Sequence, residues 1–117
     1  MNAKLPLRFA QVHQNIYRSS YPTSRSHEFL NELKLCSMIC ISPDELKDDL
    51  INYCKSNCIE LYKENVGVNI EPFYTMPHEK IRNVINKALD PTNQPCLIFC
   101  TTGKVSIKNI FYYYYGI

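Results

Sequence analysis

A chain of 117 residues, 45% hydrophobic and 21% charged, supports one small globular domain with a single core, and excludes a disordered or collagen-like chain. Its net charge of +2 comes from dispersed basic residues, so neither nucleic acid nor an acidic membrane surface is expected as a partner. No apolar run approaches membrane-spanning length, and Met1 to Arg8 has the character of neither a signal peptide nor a transit peptide. The expected address is cytoplasmic (cytosolic or nuclear), where Cys36, Cys40, Cys54, Cys58, Cys96 and Cys100 stay reduced and no disulfide framework forms.

Phe9 to Val12 and Ile16 to Arg18 read as two short strands about the polar turn His13-Gln14-Asn15. Ser20-Tyr21-Pro22 breaks that pattern. A short helix starting near Ser24 then places Phe29, Leu30 and Leu33 on one face, with Glu28, Asn31 and Glu32 outward. Cys36 to Ser42 reads as a buried strand. Ser42-Pro43-Asp44-Glu45 predicts a helix start, with a serine cap, proline at the first helical position and glutamate completing a capping box. Leu46, Leu50, Tyr53, Cys54 and Asn57 form its inward stripe.

Ile59 to Tyr62 predicts the next strand, and residues 63–75 form a long irregular connection of the kind that serves a site or moves. From Pro77 a second helix carries Ile81, Val84, Ile85, Ala88 and Leu89 on one face until Asp90-Pro91 stops it. The strand Cys96 to Phe99 follows. Such alternation of strands and helices predicts an α/β fold with a mainly parallel sheet flanked by helices. Beyond it, Phe111-Tyr112-Tyr113-Tyr114-Tyr115 shows neither a helical stripe nor strand alternation.

The segment Pro95-Cys96-Leu97-Ile98-Phe99-Cys100-Thr101-Thr102-Gly103-Lys104 carries the chemistry. An apolar strand that ends in cysteine and opens into a small-polar loop with glycine is the layout by which a cysteine-dependent phosphatase presents its nucleophile. Backbone N–H groups turned inward at such a loop make an anion nest, which holds phosphate and favours thiolate over thiol. Without its surroundings, Cys100 reads more readily as a buried structural thiol at a strand end than as a nucleophile, and the residues around it reverse that reading.

Phe9-Ala10-Gln11-Val12, Ile16-Tyr17-Arg18-Ser19-Ser20-Tyr21-Pro22, Glu71-Pro72-Phe73 and Asn93-Gln94-Pro95 occur in order ahead of the cysteine strand. This ordered set resembles the plant-and-fungal atypical dual-specificity phosphatases, a family that includes inositol-pyrophosphate phosphatases and the yeast oxidant-induced cell-cycle-arrest proteins of tyrosine-phosphatase type. The resemblance runs from about Leu7 to Lys104. It implies a cysteine-phosphatase-like α/β fold in residues 1–104, here without the C-terminal helices, followed by a non-homologous tail in residues 105–117.

By the same resemblance Cys100 holds the nucleophile position, and Thr101, Thr102, Gly103 and Lys104 form the phosphate loop. Glu71 stands where such enzymes keep a proton donor; a carboxyl whose pKa is raised by burial suits that role, and a loop-fixing hydrogen bond is the alternative. The reaction implied is hydrolysis through a cysteinyl-phosphate intermediate, with no metal and no cofactor. Its substrates would be a phosphorylated protein or an inositol pyrophosphate. Lys104 reads either as a point charge on phosphate or as a solvent-exposed side chain.

Three positions depart from the family pattern. Histidine usually precedes the nucleophile and arginine follows it six residues later, where this chain has Phe99 and Ser106; a lysine often precedes Glu-Pro-Phe, where it has Ile70. The arginine normally clamps the phosphoryl group through two charge-assisted hydrogen bonds of roughly 1.5–3 kcal/mol each, so its loss costs about two to four powers of ten in rate. The chain is expected to be inactive or nearly so. The alternative function is a non-catalytic pseudophosphatase subunit that binds related phosphatase-like proteins.

Two accounts of the tail stand side by side. Val105-Ser106 is encodable as a splice-donor sequence, and the residues that follow are rich in Ile, Lys, Asn, Phe and Tyr, whose codons begin with A/T bases, as in a translated intron. A genuinely degenerate phosphate loop is the other account. Elsewhere, Cys36/Cys40 and Cys54/Cys58 repeat a C-x3-C spacing that is read as core packing rather than zinc. His13, His27 and His78 lack metal spacing and are assigned to turns or helix surfaces, and Arg18 and Arg25 to structural roles.

Overall fold

The computed structural model describes residues 6, 8–41, 45–64 and 78–100. The elements run β1 (Ala10–His13), β2 (Ile16–Ser20), a 3-10 turn (Ser24–Ser26), α1 (His27–Leu33), β3 (Ser37–Cys40), α2 (Asp48–Ser56), β4 (Glu60–Lys63), α3 (His78–Leu89), a second 3-10 turn (Pro91–Asn93) and β5 (Cys96–Cys100). Five strands form one sheet in the order β1-β2-β5-β3-β4. Among the described residues, only the β1–β2 hairpin is antiparallel; β2–β5, β5–β3 and β3–β4 are parallel. The predicted α/β architecture is the one observed.

Strand alternation divides the core into two layers. On one face Ile16, Ile39, Ile41, Cys96, Ile98 and Cys100 pack under Val84, Ile85 and Ala88 of α3. On the other, Met38, Cys40, Leu97 and Phe99 pack under Leu30 of α1 and Leu50, Tyr53 and Cys54 of α2. Every residue of β3 and β5 is buried, as strands covered on both sides require. Each large apolar side chain sealed in this way contributes about 1.5–3 kcal/mol of transfer free energy.

The helix predicted from a Ser42 cap starts later. Residues 45–47 are not helical, and α2 begins at Asp48; Ser42, Pro43 and Asp44 lie outside the described residues. A tertiary contact sets the boundary: the Tyr21 hydroxyl accepts the Lys47 N–H at 2.7 Å and holds Lys47 extended, at φ −80° and ψ 149°. Asp48 and Asp49 then place negative charge in the first turn, where the helix dipole favours it. Leu46 packs on the core from outside the helix rather than from its stripe.

The far end of α2 closes in a Schellman motif, with Ile59 N–H bonded to Cys54 O at 2.9 Å and Cys58 N–H to Lys55 O at 3.4 Å. Cys58 takes the left-handed conformation this turn needs, at φ 56°. Lys34 does the same after α1, at φ 52°. Core packing holds for Cys40 and Cys54 but not for Cys36 and Cys58, which are exposed. Cys36 precedes β3, and Cys58 sits in the turn, so strand and helix periodicity govern neither.

Candidate active site

Parallel strands in an α/β sheet converge their carboxyl ends on one edge, where such folds place their sites. Here that edge carries Ser20 from β2, Cys100 from β5, Cys40 from β3 and Lys63 from β4. Cys100 lies on the inner strand, opposite Ser20 in register, with the β3 chain running on beside it through the Ile41 N–H to Phe99 O bond of 3.0 Å. Its residue is 4% exposed and borders the apolar layer beneath α3.

Phe99 faces the opposite layer and is fully buried. At the position where the resemblance implies a histidine, the phenyl ring meets the Tyr21 ring edge-on, with centroids 5.3 Å apart. Tyr21 therefore ties three pieces of the edge together: the exit from β2, the end of β5 and, through its hydroxyl, the entry to α2. The Lys47 ammonium also lies 5.6 Å from the centre of its ring. Burial raises the Tyr21 phenol above its usual range, against the opposing effect of the Lys47 N–H.

The amino edge of the sheet is tied down by polar side chains. Asn93 donates to Lys87 O at 2.9 Å and Gln94 to Ala88 O at 3.0 Å, satisfying carbonyls in the last turn of α3 that have no helical partner. Asn93 O in turn accepts from the Ser37 hydroxyl at 2.7 Å, and Pro95 O from the Cys36 N–H at 2.8 Å. Asp90 caps this turn through Thr92 N–H and hydroxyl, and those bonds lower its pKa. The Asn93-Gln94-Pro95 motif thus aligns β5 with β3 and so sets where Cys100 emerges.

Of the predicted site residues, the structure places Cys100 at this edge. Glu71, Thr101, Thr102, Gly103, Lys104 and Ser106 lie outside the described residues, as does Ile70. Arg18 is half-buried on β2, and Arg25 is exposed in the 3-10 turn. His27 is more integrated than a surface histidine: it stacks on Tyr53 at 4.1 Å, and burial lowers its pKa. Sequence reasoning missed Tyr21 as an organiser, because its partner Lys47 is remote along the chain.

Among the described residues, two cavities bear on the site. A groove of about 500 Å³ lined by Ile51, Cys54, Lys55, Cys58 and Leu61 lies where α2 ends and β4 starts, at the amino edge. A smaller one of about 130 Å³ opens beside the carboxyl edge between Tyr21, Thr23, Ser24, Lys47 and Asp49. We assign the chemistry to the carboxyl edge because strand polarity and the cysteine motif converge there. Among the described residues, no helix is long and apolar enough to cross a membrane.

Comparison with known proteins agrees with this geometry. Inositol diphosphatase SIW14 of Saccharomyces cerevisiae is 38% identical over 100 residues, covering 85% of this chain and 36% of that protein. Inositol diphosphatase DSP4 of Arabidopsis thaliana is 37% identical over 99 residues, covering 85% of this chain and 50% of its own length. The solved structure of the Siw14 catalytic core superposes with a TM-score of 0.81 at 35% identity, over 89% of this chain and 62% of that one. The chain thus spans between about a third and a half of the length of these two relatives. A family model described as the tyrosine phosphatase family matches residues 5–110, most of the chain, and this establishes that the chain belongs to that family.

Proposed function

We propose that this chain is a cysteine-dependent phosphatase domain whose phosphoryl-binding centre is Cys100, acting on an inositol pyrophosphate, with a phosphorylated protein as the other substrate class. The observation that carries the reading is the place of Cys100 at the carboxyl end of the inner parallel strand β5, in a chain whose relatives are named inositol diphosphatases. The thiolate sulfur bonds to phosphorus as the bond from phosphorus to the leaving oxygen breaks. Glu71 gives that oxygen its proton. Amides from Thr101 to Lys104 hold the equatorial oxygens, and water then cleaves the sulfur–phosphorus bond.

Ser106, in the arginine position, makes this turnover slow to negligible. The second reading, a non-catalytic subunit that binds related phosphatase-like chains, is favoured by the same serine and by Phe99 in the histidine position. Hydrolysis of a generic aryl phosphate separates them. On the enzyme reading, Ser106→Arg raises turnover by about two to four powers of ten and Cys100→Ser in that background abolishes it. No turnover in either protein, with stable association to related chains, favours the subunit. A spliced messenger that runs unbroken through the codons of residues 105–117 overturns a translated intron and favours a degenerate phosphate loop, in keeping with a family match that runs to residue 110.

A further inference from the structure

We propose that Ser20 is a positioning residue for the nucleophile, its hydroxyl donating to the Cys100 sulfur whenever that sulfur carries negative charge. The inference rests on the reading of Cys100 given above and adds a residue from a different strand. Strands β2 and β5 are parallel and in register from Ile16 opposite Cys96 to Ser20 opposite Cys100. Ile16, Cys96, Ile98 and Cys100 share the layer under α3, so strand alternation puts the Ser20 side chain on the same face as Cys100. Neighbouring strands lie about 4.8 Å apart, which leaves Oγ and Sγ within one rotamer change of a hydrogen bond.

The two flanks of Cys100 differ. On the β3 side stands Ile41, which is apolar and buried. On the β2 side stands Ser20, half-buried, whose Oγ makes no hydrogen bond to another described residue. The preceding Ser19 is different again: it is buried, pairs with Phe99 in the opposite layer, and commits its hydroxyl to Ser20 O at 2.7 Å. Immediately after Ser20, Tyr21 is pinned by the Phe99 ring and the Lys47 N–H, so Ser20 is held at a fixed point of the edge. A hydroxyl donates weakly to a neutral thiol and strongly to a thiolate. The same charge returns to sulfur when the sulfur–phosphorus bond breaks, so one hydroxyl serves both halves of the reaction.

The test is the second-order rate of iodoacetamide alkylation at Cys100, resolved by peptide mass spectrometry on the full chain, for the native protein and for Ser20→Ala, Ser20→Gly and Ser20→Thr. Removing the hydroxyl takes a charge-assisted hydrogen bond from the attacking sulfur and so slows its alkylation. The expected result is labelling about threefold to tenfold slower in Ser20→Ala and Ser20→Gly, with the native rate restored by Ser20→Thr and with Cys36 and Cys58 unchanged. Native-rate labelling in a folded Ser20→Ala or Ser20→Gly protein, or failure of threonine to restore the rate, overturns the role of Ser20 alone. Failure of orthovanadate to protect Cys100 in the native protein overturns the site itself, and the role of Ser20 with it.

Discussion

The two ends of β5 carry the same residue type in opposite settings. Cys96 enters the strand at the amino edge, fully buried, beside the Ser37–Asn93 bond and beneath α3; burial raises its thiol from the ordinary value of 9.0 to about 11, with the Ser37 hydroxyl pulling the other way. Cys100 leaves the strand at the carboxyl edge, beside a serine whose hydroxyl is uncommitted to the described residues. Three residues of one strand separate a thiol that packs from a thiol positioned to react. What distinguishes them is which end of a parallel sheet they occupy, because main-chain polar groups are consumed within the ladder and become available only where strands end.

The sharpest break between the two ends is expected in activity. In the Ser106→Arg background, Cys100→Ser removes turnover altogether, a loss of at least about three powers of ten, since a serine hydroxyl is no nucleophile at neutral pH. Cys96→Ala in the same background keeps turnover per folded molecule and lowers only stability, on the order of 1 kcal/mol by chemical denaturation. Next in size is the clamp at the amino edge. Asn93→Ala frees the Lys87 carbonyl and removes the acceptor for the Tyr62 hydroxyl, and a loss of about 1–3 kcal/mol is expected in urea melts.

Alkaline pH sharpens the contrast from the side of Cys96. Its folded-state pKa lies above the unfolded one, so the unfolded chain loses its proton first and stability falls as pH rises from 9.0 towards about 11. Cys54 contributes in the same direction and window, raised by burial to about 11. Denaturation followed across that range is expected to decline less steeply in Cys96→Ala than in the native protein; identical slopes contradict the burial argument. The smallest effect concerns the turn after α2, where Cys58→Gly relieves a left-handed conformation at φ 56° and is expected to raise stability by about 0.5–1 kcal/mol. A loss of stability there would mean that the Cys58 side chain packs after all.

The order and type of the elements were legible because each is amphipathic or apolar at its own period: Val84, Ile85 and Ala88 at helical spacing, and Leu97 to Phe99 as a continuous run for a strand covered on both faces. The position of Cys100 at a strand end was legible for the same reason. What local sequence does not encode is pairing. Nothing near Ser20 indicates that β2 lies beside β5, so the serine next to the nucleophile became visible only with the sheet order. The start of α2 was misplaced because the capping signal at Ser42 to Glu45 is local, whereas the hydroxyl that holds Lys47 extended belongs to Tyr21. The exposure of Cys36 and Cys58 was missed because the first pair was assigned to a strand and the second to a helix, whereas the strand starts at Ser37 and the helix ends at Ser56.

The central claim, that Cys100 rather than Cys96 is the phosphoryl-binding sulfur, is tested most directly by alkylating the native protein with and without orthovanadate and mapping each cysteine by mass spectrometry. The account predicts that Cys100 is modified in the folded protein and shielded by vanadate, while exposed Cys36 and Cys58 label regardless and Cys96 labels only after denaturation. A Cys100 that resists labelling as Cys96 does, or that labels at the same rate with vanadate present, would contradict it.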